Sequence, residues 1–143
     1  MAGRTRLKCG RASPVGELWN EVPDRVSDTA AFVGAGYAVG GDPTLGYVAA
    51  CLAIFLAYLR AEGKVAGAHQ EFCGPMAKPQ RVFVLTLVVL YCALAPAGWQ
   101  PRLTILPEWG CVAWGLAVII AGEIWTAARR LSRIARALRE SQA

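Results

Sequence analysis

Long stretches of the chain carry no ionisable side chain, and this pattern constrains the fold more than any other feature. The stretches 43–59 and 82–101 contain no Asp, Glu, Lys or Arg, and a third uncharged stretch covers 109–122. A helix needs about 20 residues to cross the hydrocarbon core of a bilayer, within a range of about 17–25. The first two stretches reach that length. The third reaches it if Glu123 lies at an interface or faces the interior of a bundle.

A fourth apolar block, 29–41, is rich in small residues, which let helices approach closely in lipid. It is too short to span alone and becomes long enough only if the polar segment 16–28 continues the same helix. The chain has 143 residues, of which 55% are hydrophobic, more than is usual for a soluble domain. These features predict one all-α membrane domain over residues 1–143, a polytopic bundle of about four spanning helices.

Basic residues are distributed unevenly among the segments that connect the apolar stretches. They concentrate in 1–15, 60–81 and 124–143, whereas the two other connections carry only Arg102. Positively charged loops stay on the cytoplasmic side, so the chain is predicted to cross the membrane several times with both termini cytoplasmic. Segment 1–15 is then a basic cytoplasmic N-terminus and 124–143 a cytoplasmic amphipathic extension. Membrane lipids with anionic headgroups account for the net charge of +5, so we expect no nucleic-acid partner.

The polar segment 16–28 places acidic and small side chains on one helix face. Four of its residues follow one another at intervals of four: Gly16, Asn20, Asp24 and Asp28. Clustered acids repel one another on a helix, and carboxylates at the entrance of an apolar span are costly unless they are compensated. A divalent cation would compensate them. Spacing alone leaves a second interpretation open, a solvated helix start whose acids favour the positive end of the helix dipole.

The same segment resembles the signature of the CDP-alcohol phosphotransferase (phosphatidyltransferase) family, which reads D-x2-D-G-x2-A-R followed by G-x3-D-x3-D. The second half corresponds here to Gly16-x3-Asn20-x3-Asp24, and GELWNEVPDRVSDT is similar to a bacterial branch in which the third acid is Asn. Segments 58–63 and 73–81 resemble the family's cytoplasmic segments, whose basic residues meet substrate phosphates. The resemblance covers most of residues 16–94.

The resemblance implies a bundle of about six helices in the cell (inner) membrane, with two divalent ions, Mg²⁺ or Mn²⁺, at the cytoplasmic mouth. These ions hold the pyrophosphate of a CDP-alcohol lipid while a carboxylate deprotonates the alcohol acceptor and CMP leaves. It also implies a homodimer. By position, Asp24 is the general base. The implied metal ligands are Asn20 and Asp24, or Asp24 and Asp28 in a shifted register that fits less well. The implied substrate contacts are Gly16, Arg60, Lys78 and Arg81.

Other interpretations of the same residues remain open at this point. Arg60, Lys78 and Arg81 also lie where the positive-inside rule would put cytoplasmic anchors, and Glu123 is interpreted as a structural or interfacial acid. The first half of the signature is not in this sequence. We therefore expect an in-frame D-x2-D-G upstream of Met1, and little or no transferase activity without it. The alternatives are an inactive remnant or small structural membrane protein, and a transporter or channel subunit, which the scarcity of mid-membrane charges disfavours.

Overall fold

The computed structural model describes residues 14–65, 78–96 and 109–140. Within these ranges the chain forms four α-helices and no strand, which confirms the prediction of an all-α fold. The helices are α1, Pro14–Gly36; α2, Pro43–Val65; α3, Lys78–Leu94; and α4, Cys111–Glu140. Most of the predicted N-terminal segment 1–15 lies outside the described residues.

Two of the helices are long and apolar enough to cross a membrane. These candidate spans are Pro43–Val65 and Cys111–Arg139, each with a mean hydropathy of 1.7, and Pro79–Leu94 is a shorter apolar helix. Only 33% of the apolar window in α2 and 39% of that in α4 are buried. Large apolar side chains such as Phe55 and Val118 are exposed on these two helices, a surface that suits lipid contact better than water.

Helix α1 joins the polar segment and the small-residue block without interruption, as the sequence analysis required for a fourth long helix. It continues through Pro23 and ends at Gly36 rather than at the end of the small-residue block. One side of α1 faces the bundle, and its buried residues Asp28, Phe32 and Ala35 follow helical spacing. Asp24 lies one turn before Asp28 on this side and is half-buried.

The turn between α1 and α2 places three helix ends together. The Asp42 side chain caps α2 by accepting a 3.0 Å hydrogen bond from the Leu45 amide. Gly40 adopts a positive φ of 76°, and its carbonyl accepts a 2.9 Å hydrogen bond from Ala113 in the first turn of α4. A Cβ atom on Gly46 would lie 2.8 Å from the carbonyl oxygen of Phe32. Glycine is therefore needed where α1 and α2 approach most closely.

The core between the helices is built largely from small and branched side chains. Ala49 and Ala53 of α2 pack with Phe32 of α1, and Leu116 and Ile119 of α4 complete the same cluster. Four of the described ionisable residues are as deeply buried as this core: Asp28, Arg81, Glu123 and Arg130. Buried charges are rare unless they are paired, and three of these four, Asp28, Arg81 and Glu123, contact one another.

Candidate functional site

A buried triad of Asp28, Arg81 and Glu123 connects three helices. Nη2 of Arg81 on α3 donates a 2.6 Å hydrogen bond to Oδ2 of Asp28 on α1. Nη1 of the same guanidinium donates a 3.2 Å hydrogen bond to Oε1 of Glu123 on α4. The two carboxylates thus bind different nitrogens of one planar group, a geometry that a lysine could not provide.

The triad packs against an aromatic ring, and two of its own polar atoms have no hydrogen-bond partner among the described residues. The guanidinium carbon of Arg81 lies 6.0 Å from the centre of the Phe32 ring, within the range of a cation–π contact. Oε2 of Glu123 and Nε of Arg81 are buried without a hydrogen-bond partner among the described residues. The triad therefore holds its three charges through only two hydrogen bonds, and the loss of either would leave a charge buried without compensation.

A second cluster of charges, Glu21 with Arg25 and Arg60, lies two helical turns towards the start of α1. The Glu21 carboxylate accepts hydrogen bonds from Arg25 on its own helix and from Arg60 on α2, one on each oxygen. Partial burial by itself raises the pKa of Glu21. The hydrogen bond from Arg25 and the positive charges of Arg60 and Arg25 outweigh this effect, so the pKa of this carboxyl lies below its usual range.

A further arginine, Arg130 on α4, lies near the same end of the bundle. Its guanidinium is buried and donates a 3.3 Å hydrogen bond to the carbonyl oxygen of Leu56 on α2. Each of the four helices thus contributes an arginine to the same end of the bundle, which is also the end where α1 carries its acids. Arg130 lies in the basic segment 124–143, which was the only sequence signal for it, whereas Arg25 lies in the polar segment 16–28 and had none.

The structure brings some of the predicted site residues together and separates others. Asp24 is half-buried between the two clusters, whereas Asn20 and Gly16 are exposed nearer the start of α1. Arg60 and Arg81 both contact acids of α1, as a shared site requires. Lys78 is the first residue of α3, and its side chain lies outside the described structure.

The predicted metal ligands do not form a preassembled cluster in the part of the chain that the structure describes. No group of three or more His, Cys, Asp or Glu side chains converges there in a way that could hold a metal ion. Two acids of the polar segment 16–28, Glu21 and Asp28, are neutralised by arginines instead. The magnesium or manganese site at Asn20 and Asp24 stays a prediction.

Glu123 is the residue whose partner the sequence analysis did not identify. An ionisable residue inside an apolar run is a signal of a functional or structural contact, but a run of residues on α4 does not indicate which helix its acid faces. The partner is Arg81, which lies 42 residues away in the sequence.

Comparison with known proteins adds no further support for a family: no protein-family model matches the chain, and no match was found among curated proteins or solved structures.

Proposed function

We propose that the chain is a membrane phosphotransferase that moves a phosphatidyl or related substituted phosphate group from a CDP-alcohol to an alcohol acceptor, releasing CMP, in phospholipid synthesis. One observation carries the proposal. The helix with the signature-like residues, α1, is joined at its acidic end to basic residues of α2 and α3 through Glu21–Arg60 and Asp28–Arg81. A pyrophosphate substrate needs acids to hold its cations and arginines to bind its oxygens.

The proposed chemistry gives Asp24 and Arg60 separate roles. Asp24 removes the proton from the acceptor hydroxyl, the resulting alkoxide oxygen attacks the phosphorus that bears the lipid group, and the bond between that phosphorus and the CMP oxygen breaks. Arg60 binds the negative charge that develops on the phosphate oxygens, after exchanging its contact with Glu21 for one with substrate. The acceptor could be glycerol phosphate, inositol phosphate or serine.

The proposal places a divalent cation in one of the two registers considered. The resemblance favours the register in which Asn20 and Asp24 would hold the ion, and Asp28 binds Arg81. Magnesium prefers oxygen ligands and usually keeps several waters, so one carboxylate and one amide oxygen suit it together with substrate phosphates. When bound, the ion would neutralise the pyrophosphate and stabilise the departing CMP.

The same proposal includes a multi-pass arrangement in the cell (inner) membrane with both termini cytoplasmic. It is supported by the two candidate spans in α2 and α4 and by the basic residues in the last turns of these helices, Lys64 and Arg139, which the positive-inside rule puts on the cytoplasmic side. Helix α3 would form a third crossing and α1 a fourth.

A second candidate function is a structural membrane protein that keeps the bundle without catalysis. It is favoured by the neutralisation of Glu21 and Asp28 by arginines, since acids used for folding are not free to hold a metal. In that case the arginines would stabilise the bundle and no substrate would exchange with them.

The test that separates the two candidates is CMP release from CDP-diacylglycerol in the presence of magnesium. The chain as given and a version extended upstream in the same reading frame should be assayed with each of the three acceptors. CMP release that requires both magnesium and an acceptor would support the enzyme. Folded protein that releases no CMP in either version with any acceptor would refute it.

A variant of the proposed base sharpens this test. Asp24→Asn keeps the size of the side chain but cannot accept the proton, so turnover should fall by about 10²–10⁴-fold while the helical content is unchanged. Glu62→Gln, which changes an exposed acid near the end of α2, is the matched control and should retain wild-type turnover. Wild-type turnover in Asp24→Asn would rule out this residue as the base.

A further inference from the structure

Glu123 is the most completely buried acid among the described residues, with an exposed fraction of 0%. It lies on α4 within a candidate membrane span. Neither the family resemblance nor the chemistry proposed above uses it. Burying a carboxylate in such a place is costly, and its retention there requires a compensating contact.

That contact passes from Glu123 to the acidic face of α1 through one guanidinium. Oε1 of Glu123 binds Nη1 of Arg81, and Nη2 of Arg81 binds Asp28. Because the guanidinium is planar and rigid, fixing one of its nitrogens fixes the direction of the other. The position of the Asp28 carboxylate therefore depends on Glu123, although the two acids lie on different helices.

Asp28 in turn lies one helical turn from Asp24, on the same side of α1. A helix is rigid over one turn, so a rotation of α1 that moved Asp28 would move Asp24 with it. Phe32, the nearest large apolar side chain of α1 in the core, lies one turn beyond Asp28 and therefore further from Asp24.

We propose that Glu123 is a positioning residue, which orients Arg81 and through it holds the acidic turns of α1 in place against α3 and α4. Its consequence for catalysis rests on the proposed function, whereas the structural coupling does not. The role needs both the acceptor oxygen and the negative charge of Glu123, since the charge keeps the guanidinium between two carboxylates.

Two substitutions at this position separate charge from hydrogen bonding. Glu123→Gln keeps an oxygen that can accept from Arg81 but loses the charge, and Glu123→Leu loses both while suiting an apolar span. The control is Glu62→Gln, an exposed acid on α2. Should Glu123→Leu fail to fold, Glu123→Gln carries the test, because its shape matches the wild type.

The first measurement is hydrogen–deuterium exchange of peptides from 19–29 and 30–36 of α1 in purified, detergent-solubilised protein. We expect exchange in 19–29 to become at least about tenfold faster in Glu123→Leu and less so in Glu123→Gln, with 30–36 and the control unchanged; tenfold corresponds to about 1.4 kcal/mol of local opening. Asp28→Asn combined with Glu123→Gln should be no faster than the faster single variant, because both act through Arg81. Unchanged exchange of 19–29 in both Glu123 variants would overturn the proposal.

The second measurement is turnover, in whichever version of the chain releases CMP. A displaced Asp24 should lower kcat by about 10²-fold while the KM for the CDP-alcohol changes little. Faster exchange with an unchanged kcat would overturn the positioning role in catalysis. Faster exchange in a protein that releases no CMP in any version would support the coupling and refute the proposed enzyme, so the two failures are distinguishable.

Discussion

The two charge clusters on α1 use the same residue types at positions seven residues apart, yet their environments are opposite. In the triad, the side chains of Arg81, Asp28 and Glu123 are 4%, 7% and 0% exposed. In the second cluster, Arg25 and Glu21 are 24% and 37% exposed. Two turns along one face of α1 are therefore enough to change a buried ionic contact at Asp28 into a partly exposed one at Glu21.

This difference in burial determines what each cluster can do. Exposed ion pairs gain little because water and salt screen them, typically about 0–1 kcal/mol. Buried pairs often contribute little net stability compared with apolar side chains, but removing one partner leaves an uncompensated charge and is strongly destabilising. The triad is therefore suited to fixing helices, and the Glu21 cluster is suited to exchanging its arginines with an anionic ligand.

The largest expected effect comes from Arg81→Leu, which leaves two buried carboxylates without a cation. We expect the free energy of unfolding to fall by about 3–5 kcal/mol, measured by denaturation in mixed detergent micelles. Arg129→Leu, which removes an exposed arginine from α4, is the control and should change the same quantity by less than about 1 kcal/mol. A loss of similar size in the two variants would mean that the triad is no more important than a surface charge.

The sequence predicted the helices far better than it predicted the contacts between them. Charge-free stretches located α2, α3 and the first part of α4, and the continuity of α1 across its polar and small-residue parts was confirmed. The predicted small-residue block extended beyond the real helix end, because the glycines at 40 and 41 and the cap by Asp42 form a turn instead. Helix periodicity identifies a face, and this is why Asp24 and Asp28 were placed on one side correctly.

Periodicity does not identify the partner that a face will meet. The acids of α1 pair with arginines 39 and 53 residues away, and such distances depend on how the helices pack. The sequence alone suggested a divalent cation to compensate the clustered acids. In the structure, arginines from α2 and α3 compensate two of these acids. Arg60 and Arg81 were predicted as phosphate contacts from the same positions, and whether they also bind substrate stays a prediction.

A smaller effect is expected from Arg60→Gln in the second cluster. Glu21 keeps its contact with Arg25, so the free energy of unfolding should fall by no more than about 1 kcal/mol, and by less at high salt. The same micelle denaturation at low and high ionic strength measures it. If the loss exceeded that of Arg81→Leu, the assignment of the two clusters as exposed and buried would be reversed.

The smallest effect is a pH dependence of the second cluster. Since the folded state lowers the pKa of Glu21, this carboxyl binds protons more weakly folded than unfolded. Its contribution to stability is therefore fully present above the unfolded value of about 4.3 and is lost as the pH falls through the lower, folded value. Glu21→Gln lacks this titration, so the difference in unfolding free energy between wild type and Glu21→Gln should shrink from about pH 6 to about pH 3. Because Glu21 is more than a third exposed, screening keeps this change within about 1 kcal/mol. If the difference grew on acidification, the pKa of Glu21 would be raised in the folded state. Arg25 and Arg60 would then not stabilise its charged form in the folded protein.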